Sequence, residues 1–188
     1  MKIRNLLVLA CVLFTTFSVS GQTEKRNFLT YDFGGAITSG GGITASGLDL
    51  SLGYTTYINN SRIFFNPNII VGAFAADGGF DLRPNYYNTL SVRAQFGYDL
   101  LQYKGFSLDL QAGLVVGTAR GMIGTGGEFN STASERIKEW NYGAVAASAL
   151  KFSIPESRFS IRVVPMSVHI GPNYYLELHS LVGIAVSL

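Results

Sequence analysis

The stretch FSLDLQAGLVVG, residues 106–117, carries the pattern that decides the fold. Apolar side chains take every second position from Phe106 to Val116, and the positions between them are small or polar, Asp109 and Gln111 included. A period of two residues is the spacing of a β-strand with two different faces. The stretch therefore predicts a strand whose leucines face one environment and whose polar side chains face another.

The same alternation recurs along the chain and predicts an all-β fold of eight antiparallel strands. The strands are expected at Asn27–Ile37, Ile43–Tyr57, Arg62–Ala76, Asn88–Leu101, Phe106–Ala119, Lys138–Ser153, Arg158–Ile170 and Tyr174–Leu188. Tight turns follow strands two, four and six, and long glycine-rich loops at Asp77–Tyr87 and Gly121–Ile137 follow strands three and five. Tight turns at one end and longer loops at the other are typical of an up-and-down transmembrane β-barrel.

The composition agrees with such a barrel. Of 188 residues, 47% are hydrophobic and only 14% are charged, whereas a soluble domain carries about 25% charged residues. The chain is long enough for one domain with a sizeable core. The net charge is +2 and no basic run is present, so nucleic acid is not expected as a partner.

The N-terminus has the pattern of a secretory signal peptide. Lys2 and Arg4 precede a short apolar run, Leu6–Phe17, and small residues precede a cleavage point ahead of Gln22. This divides the chain into a signal peptide, residues 1–21, and a barrel domain, residues 22–188. An uncleaved anchor is the alternative, although the apolar run is short for one.

The less apolar face of the strands is expected to line a narrow lumen. The interior of an eight-stranded barrel is just wide enough for side chains to fill it, and this face carries small residues with occasional charges. Because buried charges must be paired, they are expected to form an internal ion-pair network, with an ion path as the alternative. The candidate residues are Arg62, Arg93, Lys151 and Arg162 with Asp32, Asp49, Asp99, Asp109 and Glu177.

The more apolar face is expected to contact lipid. Aromatic residues gather near the predicted strand ends, as in the two interfacial girdles of membrane barrels. A soluble, lipocalin-like ligand-binding barrel is the main alternative for the fold. That alternative requires an apolar lumen, so it predicts that Leu110 points inward.

These features resemble the small eight-stranded outer-membrane β-barrel proteins of Gram-negative bacteria. In the C-terminal segment LVGIAVSL, the residues Gly183, Val186 and Leu188 match the spacing of the signal that such proteins present to the barrel assembly machinery. Leu188 stands where that signal usually has an aromatic residue. The resemblance implies a location in the outer membrane after export, with outer-membrane lipids and the assembly machinery as partners.

The function expected from this pattern is non-enzymatic. The two long loops, residues 77–87 and 121–137, would meet an external partner, and adhesion, surface contact and membrane integrity all remain open. No cofactor motif is present. His169 and His179 are the only histidines, so no metal site is expected.

An enzymatic alternative lies in the last predicted hairpin, SVHIGPNYYLE. A turn at Gly171–Asn173 would place Ser167 opposite Glu177, with His169 on the same face. Nucleophile, base and acid are the parts of a catalytic triad, so these three residues predict a lipid acyl hydrolase if they are assembled as one. The competing interpretation is a hydrogen-bonded polar cluster without catalysis. Nearby, Pro165 predicts a β-bulge that shifts the alternation of its strand.

Overall fold

The computed structural model describes residues 27–40, 43–59, 61–76, 86–124, 134–172 and 175–188. In these residues the chain forms a closed antiparallel barrel of eight strands, each paired with its neighbours in sequence. This confirms the predicted fold class. The predicted signal peptide lies outside the described residues, among which no helix is long and apolar enough to cross a membrane.

The strands follow one another without crossovers. They are β1 Phe28–Gly40, β2 Ile43–Tyr57, β3 Ile63–Ala76, β4 Tyr86–Tyr103, β5 Phe106–Gly124, β6 Ser134–Ser153, β7 Phe159–Ile170 and β8 Leu176–Ser187. β8 closes the barrel on β1, from Ser39 opposite Leu176 to Phe28 opposite Ser187. The start of β1 and the end of β8 therefore lie at the end of the barrel that carries the tight turns, here called the turn end. The opposite end is called the loop end.

Three strands are longer at the loop end than the sequence pattern predicts. β4 includes Tyr86 and Tyr87, β5 includes Gly121–Gly124 and β6 includes Ser134–Ile137. Both predicted loops, residues 77–87 and 121–137, therefore contained residues that belong to strands. Gly121 does not end its strand, because its missing side chain allows the backbone of Tyr86 and Tyr87 to approach closely. The remaining parts of these loops, residues 77–85 and 125–133, lie outside the described residues.

The turn end has short connections with a defined backbone. Lys104 and Gly105 join β4 to β5 with φ values of 43° and 83°. Positive φ at both central residues is the conformation of a type I′ turn, whose twist matches that of a two-residue hairpin. This turn places Tyr103 opposite Phe106 and aligns the two strands of the opening stretch.

The two faces of the barrel are as the alternation predicts. Leu110, Leu114 and Val116 are 50%, 71% and 49% exposed, whereas Asp109 and Gln111 are buried in the lumen. An outward Leu110 is the opposite of what the soluble ligand-binding alternative requires. The barrel therefore has an apolar exterior and a polar interior.

A β-bulge at Pro165 shifts the inward–outward alternation of side chains within β7 by one residue. The register of β7 against β8 shifts between Val164 and Ser167, and the register against β6 shifts between Ser148 and Leu150. Pro165 has no backbone N–H to donate. The bulge places it where the ladder of hydrogen bonds needs no donor. Ile161 and Met166 consequently both face outward on either side of the bulge, as predicted.

The hairpin of β5 and β6 extends beyond β7 at the loop end, while β5 stays paired with β4 up to Met122 opposite Tyr86. β5 and β6 stay paired from Val115 opposite Gly143 to Gly124 opposite Ser134, but β6 meets β7 only from Ala144 onward. The segment 134–143 thus has a partner strand on one side and, among the described residues, none on the other. We call residues 115–124 and 134–143 the projecting hairpin.

Candidate functional site

The buried charges of the lumen form two clusters instead of the single network expected from the sequence. The loop-side cluster consists of Asp49, Arg93, His169, Glu177 and His179, and the turn-side cluster consists of Asp32, Asp99, Asp109, Lys151 and Arg162. Along β8, Leu181 separates His179 from Gly183, and it packs on Val164 and Ala149 in an apolar layer. Along β4, by contrast, the buried amide of Gln95 lies between Arg93 and Asp99 and accepts a hydrogen bond from Asn68 at 2.8 Å.

Arg93 is the centre of the loop-side cluster. Its Nη2 lies 2.5 Å from His179 Nε2 and 3.9 Å from Glu177 Oε2, and its Nη1 donates to Ser167 Oγ at 3.1 Å. A guanidinium can only donate, so His179 Nε2 accepts and its Nδ1 carries the proton. That Nδ1 donates to the carboxylate of Asp49. Glu177 and Arg93 therefore form an ion pair, and hydrogen bonds continue from Arg93 through His179 to Asp49.

The structure corrects the predicted register of the last hairpin. Gly171 donates to the carbonyl of Tyr175 at 2.8 Å, so the turn is two residues longer than predicted. His169 lies opposite Glu177, and Ser167 lies opposite His179. A shift of two residues leaves every side chain on its predicted face, since the alternation has a period of two.

The three candidate catalytic residues do not assemble as a triad. His169 Nδ1 lies 3.0 Å from Glu177 Oε2, which is the base–acid half of the arrangement. Ser167 is engaged by Arg93 instead, and His169 Nε2 has no hydrogen-bond partner among the described residues. Ser167, His169 and Glu177 are at most 2% exposed, so a substrate has no access to them.

Tyr175 closes this corner of the lumen at the turn between β7 and β8. Its ring packs edge-on against His169, with 5.1 Å between ring centroids. Burial and the neighbouring Glu177 carboxylate raise the pKa of the Tyr175 hydroxyl above its ordinary value. The phenol therefore stays protonated and donates to Glu177.

One subset of the loop-side cluster has the residue types of a metal site. Ligand atoms of Asp49, Glu177 and His179 lie within 4.8 Å of one another, and all three residues are buried. The Arg93 guanidinium already contacts His179 and Glu177 and supplies the positive charge at this place. Asp49, Glu177 and His179 are therefore better suited to surround the Arg93 guanidinium than to bind a metal ion.

The turn-side cluster joins charges through amides and a phenol. Arg162 donates to Asp32, Tyr57 donates to Asp99 at 2.8 Å, and Gln111 donates to Asp109 at 2.7 Å. A cavity of about 20 Å³ lies in this part of the lumen, lined by Asp109, Lys151 and Arg162 among others. That volume holds about one water molecule, so this part of the lumen is filled.

Lys151 and Arg62 complete the predicted set of lumen charges in different ways. The Lys151 ammonium lies 4.0 Å from the centre of the Phe28 ring, a cation–π contact at the turn end. Arg62 is half-buried just before β3, where its carbonyl accepts a hydrogen bond from the Asp99 backbone at 3.0 Å. Both lie at the margin of the turn-side cluster.

The residues of the candidate assembly signal lie at the end of β8. Gly183 faces the lumen beside Asp32, and a side chain there would overlap the backbone of Tyr31. Leu188 is 68% exposed on the outside. Packing alone therefore favours glycine at position 183, apart from any role in the assembly signal, because the Asp32 side chain passes this position to reach Arg162.

The sequence pattern missed His179 as a member of the network. His179 lies two residues after Glu177, so the same alternation that places Glu177 in the lumen also places His179 there. The pattern also missed the apolar layer that closes the loop end of the lumen, in which Phe74 stacks on Tyr87 at 5.2 Å.

The barrel is similar to solved structures of small outer-membrane proteins. Neisserial surface protein A (NspA) is 12% identical, with 86% of this chain and 97% of NspA covered and a TM-score of 0.63. Ail, the attachment invasion locus protein of Yersinia pestis, is 16% identical, with 88% and 100% covered and a TM-score of 0.52. Ail in complex with the heparin analogue sucrose octasulfate gives 15% identity, 87% and 99% covered, and a TM-score of 0.51.

No protein-family model matches this sequence, and no curated protein matches it. The likeness therefore rests on strand number, closure and the path of the backbone. The chain has the fold of the small eight-stranded outer-membrane β-barrels.

Proposed function

We propose that this chain is a non-enzymatic outer-membrane protein that uses its loop end for surface contact. In this proposal residues 1–21 direct export, residues 22–188 form the membrane barrel, and the C-terminal Gly183, Val186 and Leu188 are read by the barrel assembly machinery. Adhesion and membrane integrity are the roles that fit such a protein.

The observation that carries the proposal is the apolar exterior of a closed barrel. Large apolar side chains are exposed on every strand, including Phe33, Leu52, Val71, Phe96 and Leu114, each at 49% or more. Such a continuous apolar surface marks contact with a membrane or a partner. In hydrocarbon, a closed barrel is one of the two structures that satisfy all backbone hydrogen bonds.

The filled lumen supports a role at the surface instead of transport. The two charged clusters and the apolar layers occupy the interior, and the cavity beside Asp109, Lys151 and Arg162 holds about 20 Å³. The burial of Ser167 and its contact with Arg93 likewise support a protein without hydrolase activity.

The projecting hairpin is the part of the barrel best placed to meet a partner. Its strand segment 134–143 has an edge without a neighbouring strand among the described residues. Exposed strand edges present backbone groups that pair with an added strand of a partner protein. Surface contact through this hairpin agrees with the expected role of the loop at residues 121–137.

Cell fractionation and gel mobility test the location. We expect the protein in the outer-membrane fraction, migrating differently before and after boiling in detergent, because a folded membrane barrel resists unfolding until heated. Recovery as a soluble periplasmic protein would contradict the proposal.

Shortening the projecting hairpin tests the surface role. Deletion of residues 125–133, with a two-residue Asn-Gly turn in their place, is expected to leave the barrel assembled, because loops tolerate change better than strands. Binding of intact cells to host-type surfaces or proteins should then fall. Unchanged binding by an assembled variant would remove the hairpin from the proposal.

A further inference from the structure

The outer face of the projecting hairpin carries three basic side chains side by side. Arg120 lies directly opposite Lys138, and Arg136 lies opposite Met122, the next outward position on the facing strand. All three basic residues are exposed. Directly opposed residues have Cβ atoms about 5 Å apart, and neighbours on one face of a strand are about 7 Å apart. The three charges therefore converge on one small area.

These charges are not compensated within the described part of the chain. None of Arg120, Arg136 and Lys138 forms an ion pair or side-chain hydrogen bond there. Glu139 is next in sequence to Lys138, but the alternation of β6 places it on the other face. Like charges directly opposite each other destabilise a strand pair. An anion bound between them would reverse that effect.

The position of the cluster indicates which anion it meets. Trp140 and Phe152 face outward on β6 with 70% and 43% exposure. The outward residues between them are Tyr142, Ala144, Ala146, Ser148 and Leu150, none of them charged. Twelve residues (152 − 140) span about 40 Å along a strand, or about 28 Å across a bilayer for a strand tilted by about 45°.

That span matches the apolar band of a membrane barrel, which is about 25 Å tall. Trp140 and Phe152 are thus placed at its two interfaces, where membrane barrels carry girdles of aromatic residues. Lys138 and Arg136 are the first and second outward positions beyond Trp140, so they lie at the level of the lipid headgroups.

We propose that Arg120, Arg136 and Lys138 form a site for the phosphate groups of anionic lipid headgroups around the loop end of the barrel. This inference rests on the proposed membrane location. Arginine binds phosphate through its planar pair of donors, and lysine adds a compact charge. The bound headgroup would fasten the base of the projecting hairpin to the membrane surface.

The single tryptophan of the chain makes the site measurable, because Trp140 is the next outward residue to Lys138. The folded protein is placed in phosphatidylcholine vesicles that contain a minor fraction of a lipid brominated near the headgroup end of its acyl chains. Bromine quenches tryptophan fluorescence on contact. Brominated phosphatidic acid, a phosphate monoester, is compared with brominated phosphatidylcholine at the same fraction.

We expect phosphatidic acid to quench Trp140 more strongly, and the triple variant R120Q/R136Q/K138Q to lose this preference. Each basic side chain near an anionic surface contributes about fivefold to association. The matched control K104Q/R158Q removes two exposed charges at the turn end and should keep the preference. Equal quenching by the two lipids, or an unchanged preference in the triple variant, would overturn the inference.

Inorganic phosphate distinguishes a lipid from a soluble anion. Inorganic phosphate is added to the vesicles at the concentration of the anionic lipid. Brominated phosphatidic acid should still quench Trp140 more strongly than brominated phosphatidylcholine, because the lipid is confined beside the hairpin. Loss of the preference on adding phosphate would assign the site to soluble anions and overturn the lipid assignment. Failure of the protein to insert at all, seen by gel mobility, would count against the proposed location and not against this site.

Discussion

Arg93 on β4 and His179 on β8 meet across the lumen, with 2.5 Å between Nη2 of the arginine and Nε2 of the histidine. This contact sets the tautomer of His179 and directs its other nitrogen to Asp49. It also places the one guanidinium of the loop-side cluster between two buried carboxylates, those of Asp49 and Glu177. The strands β2, β4 and β8 are thereby joined through the interior as well as through the wall of the barrel.

Replacing Arg93 is expected to destabilise the barrel strongly. Arg93→Met keeps much of the volume but leaves Asp49 and Glu177 without their cation, and breaking a buried pair in this way costs about 3–5 kcal/mol. Urea unfolding of the refolded barrel, followed by Trp140 fluorescence, measures the loss. Arg62→Met, which removes a half-buried charge at the turn end, serves as the control and should cost clearly less. Similar losses for the two variants would show that Arg93 is not the centre of the cluster.

Glu177→Ala is expected to lower stability more than Ser167→Ala. Loss of Glu177 removes the partner of His169, 3.0 Å away, and one of the two carboxylates around Arg93. Loss of the Ser167 hydroxyl removes one hydrogen bond, worth about 1 kcal/mol. The free energies of unfolding of the two variants give the comparison directly.

The same two variants decide the enzymatic alternative. A hydrolase built on Ser167 loses orders of magnitude in rate when the nucleophile is removed. We expect no release of fatty acid from an acyl-ester lipid by the original protein, and none by either variant. Fatty acid release by the purified barrel that vanishes in Ser167→Ala would establish the enzyme after all.

Gly97 is expected to tolerate no side chain. A Cβ at this position would overlap the ring of Phe64, which is buried at 2% exposure in the narrow lumen. Overpacking of this kind costs about 1–3 kcal/mol, so Gly97→Ala should unfold at a lower urea concentration. Gly35→Ala is the matched control, because the nearest atom to its added Cβ is 4.0 Å away. Equal unfolding midpoints for the two variants would mean that Phe64 can move aside.

Leu110→Arg separates a membrane barrel from a soluble one. Leu110 faces outward at 50% exposure, and an arginine facing lipid near the middle of the bilayer costs about 2–4 kcal/mol. Ile58→Arg, at an exposed position in the turn after β2, should cost about 0–1 kcal/mol. The folded fraction in lipid vesicles measures both. If Leu110→Arg folds as well as Ile58→Arg, the outer face of the barrel does not meet hydrocarbon.

The alternation of side chains was sufficient to predict the fold class and the two faces. Leu110 and Asp109 lie on opposite sides of the wall because successive residues of any strand do so, whichever strand is the neighbour. The bulge at Pro165 was also predictable, since proline lacks the donor that a regular ladder needs. These properties depend on local geometry alone.

Register and stagger were decided only by the tertiary structure. Ser167 lies opposite His179 instead of Glu177, and a shift of two residues leaves no trace in a pattern of period two. The extension of β5 and β6 beyond β7 likewise follows from the stagger that closes the barrel. So does the division of the lumen charges into two clusters, because contacts such as Arg93 with His179 join residues far apart in the chain.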